Sequence, residues 1–234
     1  MSMDRGAAKA LIASSEWFRE LPPEVVERLV KLARLRRLQD GERLFSQGDE
    51  ADGLYGVMSG RIRISSTGAD GRELLVQLFE PGAWFGEISM FDDLPRTHDG
   101  AAQGPAAVLV IPKADFRALL EREPGLYPHF LRMLCRKLRR SFGYIESAAF
   151  LPLRGRIAYR LTELAQLHGR EADDGAIEIG LHLPQEELAR MVASTRPSVS
   201  RELKALEAEG VLDIAYGKVR VLDAKRLEKM AEPA

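Results

Sequence analysis

Residues 183–212, LPQEELARMVASTRPSVSRELKALEAEGVL, decide how the rest of the chain is read. The first part places Leu188, Ala189 and Val192 on one side of a short helix. The second repeats apolar residues at Val199, Leu203 and Leu206, the four-and-three spacing of a helix face. Between them Thr195 stands where a hydroxyl can accept from an orphan backbone N–H at a helix start. Pro197 has no N–H to lose and is tolerated in the first turn. The pattern predicts two helices joined by a tight turn. The outward side of the second presents Arg196, Ser200, Arg201 and Lys204, donors suited to guanine edges and phosphate oxygens. With Pro197 and Ser198 from the same first turn, these residues form the candidate DNA-contacting set. A helical hairpin with a solvated basic face shows the same periodicity, and only the agreement of cap, spacing and donors favours DNA.

Working outward toward the C-terminus, residues 211–214 and 219–222 are short β-prone runs around Tyr216, Gly217 and Lys218. The glycine is available for a turn that needs positive φ, so a hairpin is expected there. Helix, turn, helix and hairpin together make a winged helix, in which Lys218 and Arg220 are expected on the phosphate backbone beside the groove.

The 234 residues, 45% of them hydrophobic, can bury one large core or two smaller ones, and two is the better expectation. A formal charge of −1 argues against coating nucleic acid non-specifically, so binding must come from a local patch. From Arg154 onward there are 13 Lys and Arg against 14 Asp and Glu, and even that half is not basic overall. Cys135 is the only cysteine, which excludes an intrachain disulfide, a four-cysteine iron–sulfur cluster and a structural zinc site within one chain. No run of about 18 apolar residues exists, and the N-terminus lacks the apolar core of a signal peptide. A soluble cytoplasmic protein with no membrane partner is expected.

Between about residues 38 and 111 the pattern changes to short runs at 43–45, 54–58, 61–65, 74–79 and 107–111, punctuated by glycine. Short strands with glycine-rich turns predict an antiparallel roll or barrel. Ahead of it, residues 16–35 have helical spacing with a break at Leu21-Pro22-Pro23.

Inside the roll lie Trp84-Phe85-Gly86-Glu87-Ile88-Ser89 and Leu94-Pro95-Arg96-Thr97-His98-Asp99, preceded by GDEADGLYGVMSGRIRI at 48–64. These segments resemble the phosphate-binding cassette of cyclic-nucleotide-binding domains. With the winged helix downstream, the chain from about 15 to 225 resembles a Crp/Fnr-type bacterial transcription regulator. The resemblance implies a small effector, a cyclic nucleotide such as cyclic AMP or another nucleotide, held by Gly86, Glu87, Ile88, Arg96 and Thr97. It also implies a homodimer acting on double-stranded DNA and on RNA polymerase, with no catalytic residues. The chemistry is consistent, because a cyclic phosphate needs a cation, N–H donors and an acceptor for its ribose. Arg96 offers a two-pronged guanidinium, Gly86 a close backbone approach, Thr97 a hydroxyl and an N–H, and Glu87 an acceptor for the 2′-hydroxyl. Glu87 and Arg96 pairing with each other across a turn is the alternative. His98 and Asp99 depart from the family, which usually carries a small residue after the Arg-Ser/Thr pair. They leave open which effector fits, whether haem through His98, another nucleotide, or none. An enzyme of the cupin sort is excluded, since the roll holds one histidine and a three-histidine metal site cannot be built there.

Residues 127–149 are helical in period, with Leu131, Leu134, Leu138, Ser141, Ile145 and Ala148 at alternating three and four spacing, a dimer seam with one polar interruption. By resemblance Ser141 matches the place from which this helix reaches a bound purine, and Phe142 departs from the polar residue in the best-known relative. Pro152 closes the helix and marks a hinge, and a further helix is expected from 153 to 168. The expected organisation is α+β: a roll over 1–125, a dimerisation helix over 126–151 and a winged helix-turn-helix over 152–234.

Overall fold

The computed structural model describes residues 4–15, 17–215 and 217–232. The chain splits into two compact units, Met1–Cys135 and Arg136–Ala234, and the division falls inside one long helix.

The first unit opens with α1 (Arg5–Ser14), whose N-cap Asp4 accepts from the Gly6 and Ala7 N–H groups. In α2 (Pro23–Leu32) proline occupies the first turn, where its missing N–H has no intrahelical partner to lose. The helix expected to reach residue 35 closes at Leu32, and its expected start at Glu16 lies outside the described residues. Arg34–Leu38 instead forms β1, fixed by pairing with a strand about 70 residues away rather than by its own propensity. Then follow β2 (Arg43–Phe45), β3 (Gly53–Thr67), β4 (Glu73–Phe79), β5 (Trp84–Phe85), the single turn α3 (Ile88–Phe91) and β6 (Asp99–Pro112). All pairings are antiparallel in the order β1-β6-β3-β4, with β2 also on β6 and β5 on β3.

Two strands are longer than the sequence pattern indicates. The runs at 54–58 and 61–65 are one strand, β3, because Gly60 at φ +71° absorbs a bulge without ending the ladder. A Cβ at Gly60 would lie 2.3 Å from the Pro105 carbonyl oxygen, so the residue is demanded by close approach as well. Only 107–111 of β6 is apolar enough to read. Residues 99–106, rich in Ala and Gly, pair with β2 and β3 without a side-chain signature.

The roll ends in α4 (Lys113–Arg122), a 3₁₀ turn at Pro124–Leu126 and α5 (Tyr127–Phe150). Two cores result. One lies under the helices, where Phe18, Trp84, Phe116 and Phe130 meet edge to face. The other fills the roll with Leu38, Val57, Ile62 and Val108 around a ladder of rings. Phe79 stacks on Phe85 at 4.6 Å, Phe85 on Tyr55 at 5.4 Å, and Tyr55 on Phe45 at 5.5 Å.

The expected seam on α5 is shifted by one position in places. Leu134 packs against the core under the helices. Between the exposed Tyr127 and Phe150 at its ends, α5 leaves Leu131, Leu138, Phe142 and Ile145 exposed, at 53–62%. With Cys135 and Ala149, both exposed, they form a stripe spaced four, three, four, three, four. Phe142 replaces Ser141 in that stripe.

In the second unit α6 (Leu153–His168) starts from Pro152, and only Leu151 and Pro152 separate it from α5. Next come β7 (Gly169–Glu171), β8 (Ile177–Ile179), α7 (Gln185–Met191), α8 (Arg196–Ala208), β9 (Leu212–Ala215), β10 (Lys218–Val221) and α9 (Ala224–Met230). The hairpin β9–β10 forms as expected, though Tyr216 in its turn lies outside the described residues. It is extended by β8 and β7 into a four-stranded sheet, and these three-residue strands left no readable pattern. Among the described residues no helix is long and apolar enough to cross a membrane.

Candidate effector cassette and nucleic-acid interface

The ring ladder inside the roll ends on a charge. Arg96 has 3% of its side chain exposed, and its guanidinium carbon lies 4.6 Å from the centre of the Phe45 ring and 5.2 Å from that of Tyr55. Its Nη1 donates to Gly86 O at 2.8 Å, and its Nη2 to Gly53 O at 2.8 Å and to Asp52 Oδ1 at 2.9 Å. Nε is buried with no hydrogen-bond partner. The backbone holds the residue from both sides, since Arg96 N–H donates to Asp49 O and Gly48 N–H donates to Arg96 O, each at 2.8 Å.

Gly86, at φ +93°, is where a side chain would be both strained and crowded. A Cβ there would lie 3.0 Å from Arg96 Nη1 and 3.2 Å from the Tyr55 ring. Glu87 is buried at the start of α3, and Ile88 beside it is 48% exposed. Thr97 is exposed, and its hydroxyl is 2.8 Å from His98 Nδ1. Burial lowers the His98 imidazole below its ordinary value, while the neighbouring Asp99 carboxylate pulls it the other way. Asp99 itself is turned to the β2 edge, accepting from Gln47 N–H at 2.9 Å with Arg43 at 3.7 Å. Ser141 belongs to the second unit, is exposed, and donates to Lys137 O one turn earlier.

The structure brings together Gly86 and Arg96, as the sequence pattern expects, and adds Phe45, Asp52, Gly53 and Tyr55. The Tyr55 hydroxyl donates to Asp52 Oδ1, the same oxygen that accepts from Arg96. Burial first, and then that bond to a carboxylate, push the Tyr55 phenol above its ordinary range. Asp52 and Tyr55 fall inside the quoted stretch at 48–64, but nothing local shows that they meet a residue more than 40 positions downstream.

In the second unit the turn between α7 and α8 has the expected construction. Thr195 Oγ1 accepts from Ser198 N–H at 3.4 Å and donates to Ser198 Oγ at 3.0 Å, which engages that serine in the cap. Val199, Leu203 and Leu206 are buried, while Arg196, Pro197, Arg201 and Lys204 are exposed and Ser198 and Ser200 partly so. Ala193 in the turn has φ +49°, a left-handed conformation held by a residue with a Cβ. Lys218 is exposed in the wing. Arg220 is not placed as expected. It is enclosed by Asp174 at 2.6 Å, Asp213 at 3.2 Å and Glu178 at 3.4 Å, so it ties the sheet together rather than offering a cation to DNA.

A family model for the cyclic nucleotide-binding domain matches residues 35–123, and one for the Crp-like helix-turn-helix domain matches 155–230. The chain is 33% identical over 217 residues to the cyclic AMP receptor protein of Thermus thermophilus, covering 93% of this chain and 97% of that one. It belongs to the Crp/Fnr family of transcription regulators. A second Crp/Fnr relative, the CRP-like cAMP-activated global transcriptional regulator of Mycobacterium tuberculosis, is 29% identical over 221 residues, covering 94% of this chain and 98% of the relative. Among solved structures, FixK2 from Bradyrhizobium japonicum matches with a TM-score of 0.76 over 86% of this chain and 98% of its own. At 18% identity that likeness speaks for the Crp/Fnr fold alone. As a Crp/Fnr protein the chain is a DNA-binding transcription regulator with a cyclic nucleotide-binding domain, and not an enzyme.

Proposed function

We propose that the chain works as a homodimer whose affinity for DNA is set by a cyclic nucleotide held in the roll. The observation that carries this is Arg96: a guanidinium almost wholly buried, backed by aromatic rings, with its Nε–H lacking any partner. Leaving such a donor unmet costs about 1–3 kcal/mol, which a phosphate oxygen recovers. Gly86, Glu87, Ile88 and Thr97 complete the cassette, with Glu87 taking the ribose hydroxyl and Ser141 the base. The names of the two relatives support cyclic AMP as the first candidate.

Dimerisation is proposed through the exposed α5 stripe, where Leu131, Leu138, Phe142 and Ile145 face their own copies. Two α8 helices, roughly 34 Å apart, then enter successive major grooves, with Arg196 and Arg201 on guanines and Lys204 and Lys218 on phosphates. The effector favours one arrangement about Leu151 and Pro152, and the bound dimer meets RNA polymerase. Melting of the full-length protein against cyclic AMP, cyclic GMP and cyclic dinucleotides tests the effector. A ligand at 100 times its Kd stabilises by about 2.7 kcal/mol, a shift that is easily resolved. No shift with any of them contradicts the nucleotide reading.

A further inference from the structure

The helix α8 is tied to both sides of Pro152. At its far end, the C-cap residue Glu209 accepts from Arg154 Nη2 in the first turn of α6 and from Arg226 Nη2 in α9, each at 2.6 Å. At its near end the tie comes from α5. The last carbonyls of a helix have no intrahelical donor, and in the seven-residue α7 that leaves Met191 O in need of one from outside. Tyr144 of α5 supplies it, its hydroxyl donating at 3.3 Å across 47 residues of chain. Burial pushes the Tyr144 phenol above its ordinary range, so it stays protonated and able to donate. Tyr144, Ser147 and Ala148 of α5 line one small cavity with Met191, Val192 and Ala193. Beside it α5 and α6 approach closely, since a Cβ at Gly143 would lie 2.3 Å from the Tyr159 hydroxyl oxygen. A change of angle between α5 and α6 at Pro152 must therefore break the Tyr144 bond or carry the turn before α8 along with α5.

We propose that Tyr144 is a positioning residue for DNA reading, because its bond to Met191 O completes the turn ahead of α8 and makes α5 set the angle at which α8 is presented. This rests on the reading that α8 enters the major groove. The same two turns of α5 carry Phe142 and Ile145 of the exposed stripe, so a partner's grip on α5 reaches the turn through one side chain. Phosphate contacts carry no sequence information, whereas base-edge contacts fail once a donor strays beyond hydrogen-bond reach. Loss of the Tyr144 bond therefore weakens specific binding and leaves non-specific binding alone.

The test is Tyr144→Phe, which keeps the ring and removes only the donor. Full-length wild type and variant are titrated by fluorescence anisotropy against a duplex recovered by randomised-site selection with wild type, and against a random duplex of the same length, both under the conditions of the selection. Melting of the two proteins is followed in parallel. The variant is expected to bind the selected duplex about five- to tenfold more weakly, the low end of what two ordinary hydrogen bonds, one per copy, supply. It should bind the random duplex as wild type does. A variant that keeps the wild-type ratio between the two duplexes overturns the proposal, and a lowered melting temperature with that ratio kept makes the bond purely structural. If wild type itself does not distinguish the duplexes, reading by α8 fails and the positioning role fails with it.

Discussion

At Arg96 a structural demand and the proposed ligand-binding demand meet in one side chain. The guanidinium donates to two backbone carbonyls and a carboxylate of the protein itself, so its removal is felt without any ligand. Arg96→Leu is expected to lose about 2–4 kcal/mol of stability, since the Gly53 and Gly86 carbonyls lose their donor. It should also lose all nucleotide-induced stabilisation. Denaturant unfolding with and without cyclic AMP separates the two, and retained stabilisation by nucleotide removes Arg96 from the site. Ala193 is a second residue under local demand. At φ +49° it carries a Cβ in a conformation that glycine adopts freely, so Ala193→Gly should stabilise by about 0.5–1 kcal/mol after the added entropy of the unfolded chain. Urea midpoints of the two proteins measure this, and a loss of stability contradicts it. The sequence singled out Arg96 as a cassette residue but gave no sign of the demand on Ala193. The partners of Arg96 were not legible, because Asp52 and Tyr55 reach it through the pairing of β3 and β5, which no local pattern encodes.

At the scale of elements, the helices α5 to α8 announced themselves, α1, α4 and α9 did not, and strands did so unevenly. The periods of α5, α6, α7 and α8 follow from which side faces a core, and their ends from Pro152, Thr195 and Pro197. The first half of β6 and the whole of β1 are held by long-range pairing, and their Ala, Gly and Arg content carries no alternation to read. The seam of α5 shows the remaining ambiguity. Leu134 and Cys135 both fit a heptad, and only packing reveals that Leu134 faces the roll core while Cys135 is exposed with the stripe. Leu138→Glu with Phe142→Glu should therefore give a folded monomer, whereas Leu134→Glu should destabilise the roll. Sedimentation and melting of both variants check this, and a dimer that survives the first pair moves the interface elsewhere. Mild oxidation with copper phenanthroline should also link two copies through Cys135, which faces its own copy in the proposed seam. For α8, Pro197 offers an apolar ring where a carboxylate could accept from cytosine. One base pair per half-site should thus be relaxed, and Pro197→Glu should sharpen it, with good contacts of this kind each worth about 1–3 kcal/mol. Lys204→Ala, removing the proposed phosphate contact, should weaken all sequences alike. Randomised-site selection reads both, and identical preferences for wild type and Pro197→Glu contradict this placement of the helix.

For the whole molecule, the cassette and the reading helix lie in separate compact units, so control of DNA by nucleotide requires a coupling free energy carried along the chain. The two motifs and their order were visible in the sequence, as was the helix between them. What the sequence could not show was that Arg96 pairs with Asp52, or that Arg220 pairs with three carboxylates. The central claim is that nucleotide and DNA binding are linked through Arg96. Its most direct test is fluorescence anisotropy on a two-fold symmetric site recovered by selection, titrated with full-length protein with and without saturating cyclic nucleotide from the melting screen. Wild type is predicted to change its DNA affinity by about 5- to 150-fold on adding nucleotide, the usual range of such coupling, and Arg96→Leu not at all. Wild-type isotherms that superpose with and without nucleotide contradict the account.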